Sequence, residues 1–412
     1  MATIIYVSRA LVWNAHDGYL YDQAFDGPNL RLWAYDVVHG RRHPVTPAGY
    51  DVHDFSFSKD GTTLALVLTN MHVLGEVYVR RANGHLRRLT YFDEQLKSLK
   101  LGKVRDIVWT SRDSRFHVHG FLITPPDYDA AHHYPLVVVL HGGPAARYEG
   151  DFDTVNLWGN YNSSPQLLAS AGYAVLLPSV RGDDGYGTAF LDALPGNLGT
   201  GDVEQDVFGA VDALVARGIA DPTRLAIAGH SLGGESAAWA ITHSNRFKAV
   251  SISEGPMNWV SYYGESYQNN SAFIDYVMKG TLSERPWDYA KRSPIMYASR
   301  IRTPVLMRYG LLGFAPRTSA LFNDGKQLYS ALEQLHIPVQ FVITPKDAHV
   351  IMGEVAYRDW VHREIAWFDY WVRGLPYADG KAPKWWARWR QHSPRQRDMS
   401  NVGVHPAVDW QK

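Results

Sequence analysis

Ser231 lies in the segment of the chain that points most directly to chemistry, GHSLGG at positions 229–234. A strand-like apolar run, LAIAG, leads into this segment, and a helix-like run, ESAAWAIT, follows it. In a G-x-S-x-G elbow the serine occupies a strained turn between a strand and a helix, and glycines flank it because side chains there would clash. The context predicts that Ser231 is a nucleophile that forms an acyl-enzyme.

An upstream glycine pair has the character of an oxyanion hole. The segment HGGP at 141–144 directly follows the apolar run PLVVVL. The backbone N–H groups of Gly142 and Gly143, together with that of Leu232, are candidates to bind the negative oxygen of a tetrahedral intermediate. Losing one such donor typically adds about 2.7–4 kcal/mol to the barrier. The alternative is an ordinary glycine turn.

His349 is the candidate general base. It ends the segment TPKDAH at 344–349, which follows the strand-like run VQFVIT. The chain has 18 histidines, so position rather than residue type must select among them. A histidine after the last core strand, with the serine earlier in the chain, is the arrangement of α/β-hydrolases. The alternative is an incidental surface histidine.

The elements around these residues alternate between strand-like and helix-like patterns from Asp106 onward. A continuous apolar run of strand length predicts a strand that is covered on both faces. Such runs occupy 135–140, 173–177, 225–228, 249–253, 305–307 and 339–343, and helix-like stretches occupy 203–217 and 325–335. The alternation predicts an α/β-hydrolase fold with a mostly parallel sheet and helices on both faces.

The first hundred residues contain short strand-like segments with an internal repeat. Tyr35 and Val79, Gly40 and Gly84, and Thr46 and Thr90 are each 44 positions apart. Such a period is typical of β-propeller blades, and this stretch has room for about two. We therefore predict three regions: a partial β-propeller at 1–105, the hydrolase domain at 106–376 and a C-terminal tail at 377–412. A local β-meander is the alternative for the first region.

Composition excludes several classes of partner and cofactor. The chain has 412 residues, of which 41 are lysine or arginine and 41 are aspartate or glutamate, so no bulk charge favours nucleic acid or an anionic membrane. There is no cysteine, and the His132-His133 pair has no companions at metal-ligand spacing, so no metal site is expected. No apolar run is long enough for a membrane helix or a signal peptide, which predicts a cytoplasmic protein. The neutral charge balance favours a small or neutral molecule as its partner.

The motifs resemble those of one enzyme family in succession. The segments LHGGP at 140–144, LASAGYAV at 168–175 and RGDDGYG at 181–187 are similar to motifs of prolyl oligopeptidase-type serine peptidases. The segments DPTR at 221–224, QLY at 327–329 and PV at 338–339 continue the resemblance, which covers roughly 108–374. It implies an α/β-hydrolase domain behind a β-propeller, no cofactor, and cleavage of short peptides or blocked N-termini, as in acylaminoacyl-peptidases and dipeptidyl-peptidases. The segments THSNRF at 242–247 and WFDYW at 367–371 are also similar to lasso-peptide isopeptidases.

The sequence departs from this family at the acid of the triad. Family members carry an aspartate soon after the strand that here reads TPVLMRYG, but Gly313 stands in its place. Replacing the triad aspartate by asparagine lowers turnover about 10⁴-fold in a serine protease, so another acid is expected. Glu254, at the end of the preceding strand, is the first candidate and Asp324 is the second. A site without an acid is the third possibility.

Two kinds of function remain open from the sequence. The first is a serine hydrolase that cleaves peptide, isopeptide or related acyl bonds of small peptides, with a carboxylesterase as a variant. The second, motivated by Gly313, is a binding or scaffold protein that has kept the fold and lost turnover. Two blades cannot close a ring and would leave strand edges open, so we expect either self-association or a chain that is part of a longer protein.

Overall fold

A computed structural model describes residues 11–81, 84–152, 163–312 and 320–377. The predicted C-terminal tail, apart from Tyr377, lies outside these described residues, and so does Gly313.

The N-terminal region forms two four-stranded antiparallel sheets. The first contains β1 (Val12–Asn14), β2 (Tyr19–Asp26), β3 (Asn29–Asp36) and β4 (Arg41–Pro44) in that order. The second contains β5 (Asp51–Phe57), β6 (Thr63–Asn70), β7 (Val73–Arg81) and β8 (Arg87–Arg88), again in that order. The two sheets share one hydrophobic cluster, separate from that of the rest of the chain.

The 44-residue repeat corresponds to one blade following another. The threonine that closes each copy accepts a hydrogen bond from the third strand of its own sheet. Thr46 Oγ1 accepts from the N–H of Leu32 at 3.3 Å, and Thr90 Oγ1 accepts from the N–H of Val77 at 2.9 Å. The prediction of a partial propeller with about two blades is confirmed.

An eight-stranded sheet forms the second part of the fold. Its strands are β9 (Lys103–Thr110), β10 (His117–Thr124), β11 (Tyr134–Leu140), β12 (Ala174–Ser179), β13 (Ala220–His230), β14 (Phe247–Ser253), β15 (Val305–Gly310) and β16 (Val339–Thr344). The order is β16-β15-β14-β13-β11-β12-β10-β9. The strands from β11 to β16 run parallel, and β10 and β9 add an antiparallel edge. The predicted α/β-hydrolase fold is confirmed.

Helices connect and cover these strands. They are α1 (Pro165–Ser170), α2 (Thr188–Leu191), α3 (Phe208–Ala216), α4 (Leu232–His243), α5 (Trp259–Met278), α6 (Pro286–Lys291), α7 (Ala320–Gln334) and α8 (Glu354–Phe368). Helix α4 packs against β13 and β14, which fixes its N-terminus at the carboxyl end of the sheet. Among the described residues, none of the helices is both long and apolar enough to cross a membrane.

The second blade contacts the hydrolase domain just after the glycine pair. His53 Nε2 on β5 lies 3.1 Å from the Asp151 carboxylate, and the N–H of Phe152 donates to Thr69 Oγ1 at 3.2 Å. The N–H of Gly150 donates at 3.0 Å to the carbonyl of Pro28, which lies in the turn between β2 and β3 of the first blade. The chain that leaves the glycine pair is therefore held against both blades.

Candidate active site

The nucleophile elbow has the backbone strain that its motif predicts. Ser231 connects the last residue of β13 to the first residue of α4 and has φ 58° and ψ −126°. Few residues other than glycine adopt a positive φ, and such strain clusters at functional sites. The N–H of Ser231 donates to the carbonyl of Ser253 at 2.8 Å, which ties the turn to the neighbouring strand β14.

Two glycines of the elbow are required by close backbone approach. A Cβ on Gly229 would lie 2.0 Å from the carbonyl oxygen of Gly233. A Cβ on Gly233 would lie 2.3 Å from the carbonyl oxygen of Leu140, at the end of β11. Both distances are below any real contact, so only glycine allows the helix to begin this close to the sheet.

Two of the predicted oxyanion residues, Gly142 and Leu232, lie beside Ser231. A Cβ on Gly142 would lie only 2.9 Å from Ser231 Cβ and 3.4 Å from Ser231 Oγ, so this backbone runs directly past the serine. Gly143 is the next residue, and a cis peptide bond joins it to Pro144. Leu232 is the first residue of α4, where N–H groups lack a partner within the helix and the helix dipole favours negative charge.

An ion pair that sequence reasoning missed anchors this loop. His141 Nε2 lies 3.0 Å from Asp183 Oδ2, and the two side chains are only 10% and 4% exposed. Burial lowers the pKa of His141, but the Asp183 carboxylate more than offsets this effect, and the net change is upward. Burial likewise raises the pKa of Asp183 to about 6, against the attraction of His141. The signal was present in the sequence, because the two residues belong to the HGGP and RGDDGYG motifs that were read separately.

His349 lies next to the elbow. Its ring centroid is 4.5 Å from that of His230, the residue that immediately precedes the serine. His230 is buried, and burial, together with the nearby His349 and Arg308, holds its pKa well below the usual value. His230 is therefore uncharged at neutral pH. His349 differs from it because its ring also faces a carboxylate, that of Glu254.

That carboxylate belongs to Glu254, the first residue after β14. Its Oε2 lies 3.6 Å from His349 Nδ1, and the residue is fully buried. Its Oε1 accepts a hydrogen bond from the N–H of Gly310, and its own N–H donates to the carbonyl of Arg308 at 3.1 Å. Glu254 has φ 53°, so a second strained residue stands at this edge of the sheet. The structure thus brings Ser231, His349 and Glu254 to the same edge.

Asp324 is engaged elsewhere. It lies in the second turn of α7 (Ala320–Gln334). Asp324 Oδ1 accepts from Ser261 Oγ at 2.5 Å, and Oδ2 accepts from the N–H of Asn258 at 3.2 Å. Burial raises its pKa to about 7. Its contacts are with the start of α5 rather than with the histidine loop.

A buried arginine is the other feature that sequence reasoning missed. Arg308 stands in β15, a strand whose six residues are all buried. Its guanidinium lies 3.6 Å from Glu254 Oε1 and 3.5 Å from Asp347 Oδ2. The available signal was a single charged residue within the otherwise apolar run VLMRYG.

Fold and site together define an α/β-hydrolase with a serine elbow and two propeller-like blades. The family model described as "Prolyl oligopeptidase family" matches residues 159–374, which is more than half of the chain. The chain therefore belongs to the prolyl oligopeptidase family.

Individual relatives agree with this assignment. The uncharacterized peptidase YuxL of Bacillus subtilis is 27% identical over 342 residues, covering 81% of this chain and 49% of the relative. The acylamino-acid-releasing enzyme of Rattus norvegicus is 30% identical over 249 residues, covering 59% of this chain and 32% of the relative. A puromycin-hydrolyzing peptidase of Mycobacterium tuberculosis has a similar structure, with a TM-score of 0.74 and 26% identity over 88% of this chain and 53% of that protein. The chain spans about half the length or less of these relatives.

Proposed function

We propose that the chain is a serine hydrolase that cleaves peptide, isopeptide or related acyl bonds of small peptides through an acyl-enzyme at Ser231. The observation that carries this proposal is the meeting of three features at one sheet edge: the strained Ser231 elbow, His349 beside it, and the Glu254 carboxylate 3.6 Å from His349 Nδ1. Membership of the prolyl oligopeptidase family supports it.

The proposed reaction follows the logic of a Ser-His-acid triad. Ser231 Oγ attacks the substrate carbonyl while His349 accepts the hydroxyl proton. The imidazolium that forms is stabilised by Glu254 on its other nitrogen. His349 then donates the proton to the leaving amine, and a water molecule, activated by the same histidine, hydrolyses the ester.

The oxyanion of both tetrahedral intermediates would bind to backbone N–H groups of Gly142, Gly143 and Leu232. The passage of Gly142 beside Ser231 and the helix N-terminus at Leu232 support these assignments. Fixed donors of this kind cost no reorganisation when the charge develops, and each typically contributes about 2.7–4 kcal/mol. The ion pair of His141 with Asp183 would hold the loop in place.

An activity screen tests the proposed function. Relatives are named acylamino-acid-releasing enzyme, dipeptidyl-peptidase and puromycin-hydrolyzing peptidase. The screen therefore compares chromogenic amides with a free aminoacyl group, a dipeptidyl group and an N-acetylated aminoacyl group, and includes short acyl esters. We expect turnover of at least one amide that is lost in Ser231→Ala. Turnover of esters alone would favour a carboxylesterase, and no turnover of any substrate would contradict the proposal.

We also infer self-association through the open edge of the partial propeller. The first strand of the first sheet exposes Trp13 by 56%, and the neighbouring Leu11 is exposed by 62%. An exposed edge with apolar side chains is a template for pairing with another chain. We expect an oligomer by light scattering, and we expect Trp13→Lys to shift it toward the monomer. A wild-type protein that stays monomeric across a wide concentration range would contradict this inference.

A further inference from the structure

Arg308 carries an unusual set of contacts for a core residue. Its side chain is fully buried, and burial lowers its pKa, although Glu254 and Asp347 oppose this effect. An arginine does not lose its proton in proteins, so the guanidinium is a buried positive charge that needs compensation. The compensation here comes from two carboxylates on two different elements.

The guanidinium binds the end of β14 and the loop after β16 at once. Nη1 lies 3.6 Å from Glu254 Oε1, and Nη2 lies 3.5 Å from Asp347 Oδ2. Nε donates to Thr344 Oγ1 at 3.0 Å. Nη1 and Nη2 also donate to the carbonyls of His349 and Ala348, each at 3.4 Å. Each end of the planar fork thus contacts a different part of the histidine site.

These contacts determine how the carboxylate of Glu254 is turned. Oε1 faces Arg308 and the N–H of Gly310, so Oε2 is the oxygen left to face His349 Nδ1. The carbonyl contacts fix the backbone of the histidine loop relative to β15. One side chain therefore sets the geometry of both members of the acid-base pair.

Arg308 is surrounded by two carboxylates and two histidines. Glu254 and Asp347 face it with two negative charges, while His349 and His230 are near neighbours whose protonation would add positive charge. Tyr309 lies beside Glu254 but directs its hydroxyl to the carbonyl of Gly255 at 2.8 Å. Without the arginine, two buried carboxylates would share one site, and such pairs tend to retain a proton.

We propose that Arg308 is a positioning residue that turns the Glu254 carboxylate toward His349, keeps it ionised, and holds the loop that carries His349. The proposal rests on the proposed catalytic role of Glu254. It extends that role, because it explains how an acid at the end of β14 can serve the histidine where Gly313 occupies the family's aspartate position.

The test is the pH dependence of kcat/KM on an amide substrate found in the screen. Hydrolysis requires a neutral His349 and an ionised Glu254, and the positive charge of Arg308 nearby favours both of these states. We therefore expect Arg308→Met to move the acidic limb of the profile upward by about one pH unit or more. Arg308→Lys keeps the charge but cannot contact both carboxylates, so kcat should fall while the limb stays close to that of the wild type.

Asp347→Asn should move the acidic limb of the pH profile in the opposite direction, and it leaves Arg308 in place. Its amide oxygen can still accept from the N–H of Met352, as the carboxylate does at 3.2 Å. Removing this negative charge favours the neutral His349 and the ionised Glu254, so the acidic limb should move to lower pH. The double variant Arg308→Met/Asp347→Asn should bring the limb back toward the wild-type position. If Arg308→Met does not fold, as judged by circular dichroism, Arg308→Lys and Asp347→Asn still test the proposed role of Arg308.

A matched control removes the same charge from the surface. Arg363 on α8 pairs with Asp359 at 2.7 Å, and its side chain is 40% exposed, so Arg363→Met should leave the profile unchanged. A lower kcat in Arg308→Met and Asp347→Asn without any movement of the limb would overturn the proposal and leave a purely structural arginine. If Glu254→Gln leaves kcat unchanged, Glu254 is not the acid and the role of Arg308 is wrong as well. If Glu254→Gln lowers kcat strongly but Arg308→Met does not move the acidic limb, only the role of Arg308 is refuted.

Discussion

Replacing Ser231 with alanine is expected to abolish hydrolysis, with a fall in kcat of about 10⁶-fold. Removing a hydroxyl from a turn between β13 and α4 takes away the atom that attacks the carbonyl, while the glycines that shape the turn remain. His349→Ala should cost nearly as much, and the double variant should be no worse than either single one, because the two residues act as one unit. Rates of amide hydrolysis for the three variants check this pattern.

Two exposed residues of the same types serve as controls. Ser170 ends α1 and His362 lies on the outer face of α8, and both are exposed. Ser170→Ala and His362→Ala should keep wild-type rates. Retention of most of the activity in Ser231→Ala or in His349→Ala, on a substrate that the wild type hydrolyses, would refute the proposed pair.

Glu254→Gln is expected to lower kcat by about 10⁴-fold. The glutamine oxygen can still accept from the N–H of Gly310, so the local fold should survive. Its amide group, however, would present a donor to His349 Nδ1, which favours the wrong tautomer and removes the charge that stabilises the imidazolium. The measurement is kcat together with the melting temperature, which should change little.

Asp324→Asn is the matched control for this variant. The carboxyl has a pKa raised to about 7 and bonds to Ser261 and the backbone of Asn258, so an amide can replace it with little change in kcat. Gly313→Asp tests the reverse change, because it adds a carboxylate at the position where the family carries the triad aspartate. A silent Glu254→Gln together with a gain of activity in Gly313→Asp would show that Glu254 is not the acid.

Much of the fold could be predicted from the sequence because its signals are local. Buried parallel strands are continuous apolar runs, and the run at 135–140 became the central strand β11 over Tyr134–Leu140. The run at 225–228 lies in the second half of β13, which is longer than predicted, and its first residue, Ala220, pairs with Tyr134 at the start of β11. The repeat of the two blades was equally visible, since equivalent turns require the same residue types.

The arrangement of the site could not be predicted in the same way, because it depends on strand order. Glu254, Arg308 and His349 are far apart in sequence and meet because β14, β15 and β16 are neighbours with their carboxyl ends at one edge. The position of Glu254 at the end of a strand-like run favoured it over Asp324, but no local signal could exclude Asp324 as a partner for the histidine. Asp324 was separated from it only by the position of α7, which turns its carboxyl toward α5.

The central claim, an activated serine at position 231, is tested most directly by labelling with a fluorophosphonate probe followed by peptide mass mapping. Such probes react with a serine whose hydroxyl is activated by a neighbouring base. The account predicts one modified peptide, which contains Ser231, with labelling lost in Ser231→Ala and strongly slowed in His349→Ala. An unlabelled wild-type protein, or a label on another serine, would contradict it.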